Sequence, residues 1–296
     1  MPEALILHVV SGAALWQQWS WNPGTVIPLA LAALLYIRGH RALQRARNRS
    51  GGRNRQSGLR GLAFVAGWLV LAISLVSPLH ALSEQLFSAH MIQHELLMTL
   101  AAPLLVLARP NAVFAWALPM RMRRVWMAVR RPSTVQEVRR LLIQVRARAA
   151  WLAYALVLWG WHAPALFQWS LRDERVHALQ HTCFFVVSLW FWQSTFGSRR
   201  TATAGASVLV LFATTIHTSI LGALITFDTA LWYPAYARTA TALGVNPLHD
   251  QQLAGLIMWV PGSVPYLIAA VAIMTQWLGR TSSSQDHAPS PVRNIR

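Results

Sequence analysis

The sequence predicts an all-α integral membrane protein with seven transmembrane helices, its N-terminus outside (periplasmic) and its C-terminus cytoplasmic. Three observations predict this fold class. The 296 residues are 55% hydrophobic and only 12% charged, with a mean hydropathy of +0.37, which is far more apolar than an ordinary soluble domain. Seven apolar stretches approach or exceed the ~20 residues that a helix needs to cross about 30 Å of hydrocarbon. The arginines fall almost entirely on one side of these stretches.

The seven predicted spans are distributed over most of the chain, and they lie near residues 22–38, 61–78, 83–108, 149–163, 174–196, 204–226 and 251–278. The first and fourth are short for a membrane-spanning helix. The third and seventh are long, and they contain Pro103, Pro261 and Pro265, where we expect kinks because proline removes a backbone hydrogen bond. These two spans are therefore predicted to bend or to project from the membrane.

The arginine residues predict the orientation of the spans. All 26 basic residues are arginine, and with nine acidic residues they give a formal net charge of +17. In the seven-span topology 23 of the arginines fall on one side, in the connections 38–60, 109–148 and 199–200 and from residue 280 onward. By the positive-inside rule this side is cytoplasmic. Anionic lipid headgroups attract such arginines, so we expect membrane lipid and no nucleic acid as their partner.

The same pattern divides the chain into three parts. Residues 1–60 are predicted to form an N-terminal anchor span and a basic cytoplasmic loop, and residues 61–280 to form a six-span core. Within the core, residues 110–148 place apolar residues at helical spacing between arginines, which is typical of an amphipathic helix on the inner membrane surface. Residues 281–296 are predicted to be a disordered cytoplasmic tail. A single cysteine, Cys183, excludes a disulfide within the chain.

Histidines are the candidate functional residues, because nine of the eleven lie at or below the outer surface in this topology. His90 and His94 are four residues apart in the third span, which places both imidazoles on one helix face. His177 and His181 repeat that spacing at the start of the fifth span, and His162 ends the fourth. Ionisable groups in a bilayer are costly and usually face the interior of the helix bundle. The spacing therefore predicts either a shared metal site or a network of hydrogen bonds between helices.

Further candidate ligands accompany these histidines. They are Asp250 and His249 at the start of the seventh span, Met98 and Met258 within the membrane, and His217 in the sixth span. The methionines are also typical of ordinary core packing. Imidazole nitrogen and thioether sulfur together suit copper, above all Cu(I), better than Mg²⁺ or Ca²⁺, and zinc is chemically acceptable. Glu95 points about 100° away from His94 around its helix and is predicted to orient a histidine of another span.

Four stretches of the sequence resemble a known family. They are HMIQHELLMTLAAPLLVLARP from residue 90, WHAPALFQWSL from 161, HALQHTCFF from 177, and GALITF from 222 followed by DQQLAGLIMWVPG from 250. Over roughly residues 60–280 the chain resembles the CtaG-type cytochrome c oxidase assembly factors, which are seven-span proteins of the bacterial cytoplasmic membrane. The resemblance implies the same multi-pass location for this chain.

The resemblance also implies a role in assembling haem–copper oxidases, in which the protein supplies or positions copper. It points to six polar positions, which are His90, His94, His162, His177, His181 and Asp250. Gln180 departs from the family pattern, which often has an acidic residue between the histidines at 177 and 181. The resemblance implies that the side chain at this position orients the two histidines. Cytochrome c oxidase subunits and periplasmic copper chaperones are the implied partners.

The predicted function is an assembly factor, not an enzyme, that binds copper as Cu(I) in an outward-facing membrane cavity and helps deliver it to the oxidase. The four paired histidines would bind the ion, and His162 and Asp250 would complete the site. One alternative is a membrane oxidoreductase that holds haem or a di-metal centre between its histidine pairs. Another is a copper transporter, which needs a continuous polar path across the bilayer.

Overall fold

The computed structural model of the protein describes residues 17–49, 55–129, 136–197 and 201–285. Every regular element in these ranges is a helix, which confirms the all-α prediction. A long helix, straight or interrupted, occupies each of the seven predicted spans. Large apolar side chains such as Leu156 and Leu209 are exposed along these helices, as expected where a helix faces lipid instead of water.

Two long helices and one short helix begin the described chain. They are α1 (Pro23–Arg49), α2 (Arg55–Val76) and α3 (Pro78–Ser83). The indole of Trp68 in α2 donates a 3.0 Å hydrogen bond to the carbonyl of Leu29 in α1. This bond joins the predicted N-terminal anchor span to the rest of the bundle.

The third span is the central element of the bundle. It consists of α4 (Phe87–Glu95), a π-helical segment (Leu96–Ala101) and α5 (Ala102–Ala108). It is 50% buried, a larger share than any other candidate span has. The indole of Trp192 donates a 2.9 Å hydrogen bond to the carbonyl of Met98 in the π-helical segment. The wider π-helical turns thus place a backbone carbonyl where another helix can bond to it.

The connection after the third span is also helical. It contains α6 (Asn111–Ala117) and α7 (Met120–Val129), and α8 (Gln136–His162) begins before the fourth span. Most of the described part of the predicted amphipathic segment 110–148 therefore lies in helices, with a break at residues 118–119, and residues 130–135 fall outside the described ranges. Whether its apolar face rests on the membrane stays a prediction.

The fourth span ends in a sharp bend. Helix α8 stops at His162, and α9 (Pro164–Arg172) leaves at an angle of 72°. Pro164 has no backbone N–H and cannot continue the hydrogen bonding of α8. Helices α10 (Glu174–Gly197) and α11 (Thr201–Phe227) then follow. The bend leaves His162 at the end of its helix, where its ring centroid lies 5.8 Å from that of Phe184 in α10.

The last part of the described chain contains three α-helices and two 3₁₀ turns. It comprises a 3₁₀ turn (Pro234–Tyr236), α12 (Ala237–Ala242), α13 (Pro247–Trp259), a second 3₁₀ turn (Pro261–Ser263) and α14 (Val264–Gln285). The second turn lies where Pro261 was predicted to bend the seventh span. Helix α14 runs five residues into the predicted disordered tail, whose remainder lies outside the described residues.

Fewer helices satisfy the requirements for a membrane span than the seven predicted. Five described helices are long and apolar enough, namely Pro23–Asn48, Ser57–Val76, Phe87–Ala108, Ala204–Phe227 and Pro247–Gly279. The bent pair Ala147–His162 and Pro164–Arg172 makes a sixth if it counts as one span. Helix α10 is not among them, because polar residues such as His177 and His181 lower its mean hydropathy. Seven spans and their orientation stay predictions.

An aromatic core fills the centre of the bundle. Trp192 stacks on Tyr266, with ring centroids 5.4 Å apart and nearly parallel planes, and the edge of Phe191 meets the face of Trp192. All three side chains are fully buried. Phe191 and Trp192 lie about three turns beyond His181 on α10, so packed rings separate the histidine end of this helix from its other end.

Candidate metal centre

The N-terminus of α4 is fixed by Asp250 of α13. Its Oδ2 accepts a 2.7 Å hydrogen bond from the N–H of Phe87, and its Oδ1 accepts the N–H of Ser88 at 3.3 Å. The hydroxyl of Ser88 also donates to Oδ1. A carboxylate is favourable here because the first N–H groups of a helix have no partner within the helix. This contact sets the position of His90 and His94, which lie about one and two turns further on.

Three histidines from two spans meet near this helix start. His90 of α4 and His177 and His181 of α10 each offer a ring nitrogen, and these nitrogens all lie within 4.8 Å of one another. The rings of His90 and His177 have centroids 5.3 Å apart, and those of His90 and His181 are 5.8 Å apart. Three of the four histidines in the two predicted pairs therefore converge on one point.

Two more histidines adjoin this group. The Nε2 atom of His94 lies 3.0 Å from Nε2 of His90, and its ring centroid is 5.1 Å from that of His181. His162 follows at 6.2 Å from the ring of His94. All five predicted histidines are thus within one cluster, which we define as His90, His94, His162, His177 and His181 and name the histidine cluster.

Several nitrogens of the histidine cluster are buried without a hydrogen-bond partner among the described residues. They are Nε2 of His162, His177 and His181 and Nδ1 of His94. Buried polar atoms are normally paired, and each unpaired one needs an explanation such as an unseen ligand or ion. The unpaired nitrogens of His177 and His181, two of the three residues whose ligand atoms converge, fit a metal ion, because a neutral imidazole nitrogen is a good ligand for copper or zinc.

Neighbouring groups orient two of these rings. Nδ1 of His162 donates a 2.7 Å hydrogen bond to the carbonyl of Leu158, so its Nε2 keeps the lone pair that a metal needs. Nδ1 of His90 lies 2.9 Å from the hydroxyl of Tyr236 and 3.3 Å from the carbonyl of Ser83. We assign the proton of His90 to Nδ1, because the carbonyl can only accept, and its Nε2 then faces His94 with a lone pair. Such contacts to the remote nitrogen are typical of metal-binding histidines.

Polar side chains continue outward from the cluster. The amide of Gln93 donates to Nδ1 of His80 at 3.1 Å, and the ring of His80 stacks on that of His177 at 6.0 Å. Glu84 is 3.8 Å from the other nitrogen of His80. Burial lowers the pKa of His80, with Glu174 acting in the opposite direction, so this imidazole is neutral at neutral pH. The neutral imidazole of His80 therefore extends the row of histidines toward the end of the bundle where α10 begins.

Apolar aromatic rings surround the histidine cluster. Phe184 lies 4.6 Å from His94 and Phe167 lies 5.1 Å from His90, measured between ring centroids. Among the described residues, the group of converging ligand atoms consists of His90, His177 and His181 and contains no carboxylate. A site of neutral nitrogens in apolar surroundings favours an ion of low charge, which is a property of Cu(I).

Three predicted polar residues take other positions. Asp250 is engaged by Phe87 and Ser88 at the start of α4 and does not face the histidines. Glu95 turns toward the second 3₁₀ turn, where a Cβ on Gly262 would lie 2.8 Å from its carboxyl carbon. Gln180 is fully buried, and neither atom of its amide has a partner among the described residues. The role predicted for Glu95 and Gln180, which was to orient a histidine, is matched by no contact in these ranges.

The remaining candidate ligands lie apart from the histidine cluster. Met98 and Met258 are buried members of the apolar core. The ring of His217 accepts a 3.4 Å hydrogen bond from Trp159 and meets Trp151 edge to face. His249 is exposed at the start of α13. These four positions are therefore explained by packing, by aromatic contacts or by solvent exposure.

Sequence reasoning missed two residues that position the site. Gln93 lies three residues after His90, so helical spacing alone could have indicated it. Tyr236 comes from a loop 146 residues further along the chain, and no local pattern marks it. Its contact with His90 follows only from the packing of the 3₁₀ turn against α4.

Comparison with known proteins identifies one match. The family model for the cytochrome c oxidase caa3 assembly factor (Caa3_CtaG) matches residues 34–280, which include every helix that carries the histidine cluster. This match confirms the resemblance read from the four sequence stretches. No curated protein and no solved structure matches the chain.

Proposed function

Because this chain belongs to the family of cytochrome c oxidase caa3 assembly factors, we propose that it binds copper as Cu(I) in its histidine cluster and delivers the ion to the oxidase. The copper is cargo in this proposal, and the protein catalyses no reaction. The outer side of the bacterial cytoplasmic membrane is the proposed location of the site. Periplasmic copper chaperones are the proposed donors.

One observation carries the proposal, which is the convergence of His90, His177 and His181. Their ligand atoms lie within 4.8 Å of one another, and two of the three residues have a buried nitrogen without a partner. Cu(I) accepts neutral nitrogen donors and needs few of them. The same donors suit zinc, so the choice of copper rests on the family and on the low charge of the site.

The charge distribution supports an outward-facing site. The paired histidines lie toward the starts of the third span (Phe87–Ala108) and of α10, and His162 lies at the end of α8. In the predicted topology all three helix ends are on the side with three arginines, opposite the side with 23. An ion from the periplasm would therefore reach the cluster without crossing the arginine-rich surface.

Delivery would proceed by ligand exchange along neighbouring donors. His94 and His162 adjoin the three histidines, and His94 lies within hydrogen-bonding distance of His90. Moving the ion between adjacent imidazoles leaves its oxidation state unchanged and exposes no bare ion to the lipid. A cluster of more donors than one ion needs is thus suited to holding copper and then releasing it.

The test is the copper content of the detergent-purified protein after anaerobic loading with Cu(I). We expect the native chain to retain about one ion, the number that three or four imidazoles hold. A His177→Ala, His181→Ala double variant should lose it. His217→Ala is the matched control, because this histidine contacts Trp159 and Trp151 instead. Equal copper in the double variant, if it is folded, would overturn the proposal. A haem absorption band in the native sample would favour the oxidoreductase.

A further inference from the structure

A membrane-spanning groove opens on the side of the helix bundle. It has a volume of about 1820 Å³, and its floor is the third span. Helices α1 and α2 line one side, and α10 and α14 line the other. The groove runs from Asn22, next to the start of α1, to Arg60, near the start of α2. Since α1 and α2 are antiparallel neighbours, these two residues lie at opposite faces of the membrane.

The groove reaches the histidine cluster. His181 lines it, although this side chain is only 9% exposed, and its Nε2 has no hydrogen-bond partner among the described residues. The same residue is one of the three that can hold a metal ion. The cluster thus has a side opening that faces the interior of the bilayer, in addition to the polar neighbours at its outer end.

The shape of the groove fits a transmembrane helix. A helix about 10 Å wide and 30 Å long occupies about 2,400 Å³, so the groove would hold most of it and leave one face to the lipid. Leu71, Phe185 and Ile268 make the lining apolar. Ala32 and Ala272 have small side chains, which let the backbone of a docked helix approach closely. Lipid chains fill such a groove as well as a helix does, so apolar contact alone does not select the occupant.

His181 supplies a polar group that can distinguish a helix from a lipid chain. Helices in lipid associate through packing and polar links and not through the hydrophobic effect. The unpaired nitrogen of His181 in the wall of the groove becomes such a link when the occupant carries a second metal ligand at the same depth, because one Cu(I) ion can bind both. An acyl chain has no metal ligand, whereas a helix with a histidine or methionine has one.

We propose that this groove docks a transmembrane helix of the oxidase subunit that receives the copper, with a histidine or methionine of that helix facing His181. The proposal rests on the proposed function. As the incoming imidazole or thioether bonds to Cu(I), the bond from the ion to Nε2 of His181 breaks. The oxidation state is unchanged, and no proton moves because both donors are neutral. Transfer thereby takes place inside the membrane and not in the periplasm.

Site-specific photo-crosslinking in native membranes tests the docking. A benzophenone amino acid replaces Ala272, which lines the groove, or Leu156, which is 72% exposed on α8 outside it. We expect a crosslink from position 272 to a transmembrane peptide of an oxidase subunit, identified by mass spectrometry, and none from position 156. Lipid adducts alone, or the same products at both positions, would overturn the proposal.

A second experiment blocks the groove without touching the ligands. An Ala32→Trp, Ala272→Trp double variant should keep the copper content of the native chain, while oxidase purified from the same cells has as little copper as oxidase from cells lacking the protein. Leu156→Trp is the matched control and should leave the oxidase fully loaded. Normal oxidase copper in the double variant contradicts docking here. A native chain that retains no copper contradicts the proposed function instead, so the two failures are distinguishable.

Discussion

Asp250 illustrates how a residue near a metal site can act on the backbone and not on the metal. Its two carboxylate oxygens accept three hydrogen bonds from Phe87 and Ser88 in a buried position. We predict that Asp250→Asn lowers the free energy of unfolding by about 1–3 kcal/mol, because an amide has one acceptor oxygen and turns its NH₂ group toward a buried donor. Denaturation of the detergent-solubilised variant measures this.

The control for Asp250 is Asp173→Asn. Asp173 accepts hydrogen bonds from the N–H groups of Arg175 and Val176 at the start of α10, but it is exposed, and asparagine serves equally well at such a position. We expect almost no change in its stability. Copper per folded chain should be unchanged in both variants. Loss of copper with unchanged stability in Asp250→Asn would instead make the carboxylate a ligand, as the sequence alone predicted.

Tyr236 positions His90 from the side remote from the cluster. Its hydroxyl lies 2.9 Å from Nδ1 of His90 and donates to the carbonyl of Ser83 at 3.0 Å. We predict that Tyr236→Phe weakens Cu(I) binding by about 10–100-fold, the usual effect of removing a group that orients a metal-binding histidine. Competition with a Cu(I) chelator measures the affinity. Tyr36→Phe, in a separate cluster around Phe64, should bind copper normally, and equal affinity in all three proteins would show that Tyr236 has no positioning role.

At the scale of residues, the spacing of the histidines predicts that they lie close together, whereas their neighbours are predicted poorly. The spacing of His90 and His94, and of His177 and His181, requires only a helix, and three of these four residues have ligand atoms within 4.8 Å of one another. The role of Asp250 depends on how two helices sit beside each other, which no local spacing encodes. Tyr236 depends on a loop that packs back across α4. Candidate ligands are therefore legible in the sequence, whereas the groups that hold them in place are not.

Among the helical elements, α11 and α13 approach each other closely at two facing glycines. A Cβ at Gly222 would lie 2.8 Å from the carbonyl oxygen of Gly255, and a Cβ at Gly255 would lie 2.6 Å from that of Gly222. Backbone atoms cannot move aside as a flexible side chain can. We predict that Gly222→Ala or Gly255→Ala costs about 1–3 kcal/mol of stability by forcing the helices apart.

Thermal unfolding in detergent checks this prediction, with Gly205→Ala as the control. A Cβ at Gly205 on α11 meets nothing within 4 Å, and alanine is the better helix former, so this variant should be as stable as the native protein or slightly more so. An unchanged Tm for Gly222→Ala would mean that the two helices can separate freely. Because α13 also carries Asp250, we expect the destabilised variants to hold the start of α4 less firmly.

Element boundaries were predicted more accurately than element shapes. Apolar length locates a helix at every predicted span, and the proline at 261 marks the interruption of the seventh. The 72° turn after His162 and the π-helical segment after Glu95 were not predicted. Pro164 explains why α8 stops but not the direction in which the chain leaves it. The π-helical segment depends on what packs around the helix, such as Trp192 bonding to the carbonyl of Met98.

On the scale of the whole molecule, the number of spans decides which side of the membrane the histidine cluster faces. Helix α10 has 24 residues, which at 1.5 Å each gives about 36 Å, enough to cross the hydrocarbon. Its low hydropathy comes from polar residues such as His177, Gln180 and His181. Gln180 is fully buried and His181 nearly so, so they need not face lipid. We therefore predict that α10 is a span, which makes seven when the bent pair counts as one span.

Cysteine labelling tests this count directly. In a Cys183→Ser background, Asp173→Cys and Ser198→Cys introduce single thiols before and after α10. We predict that a membrane-impermeant maleimide labels position 173 in intact spheroplasts and position 198 only after permeabilisation. Labelling of both from outside would mean that α10 does not cross, and it would put Arg199 and Arg200 on the outer side against the positive-inside rule. The reverse pattern would open the histidine cluster toward the cytoplasm, and copper would then have to be delivered from within the cell.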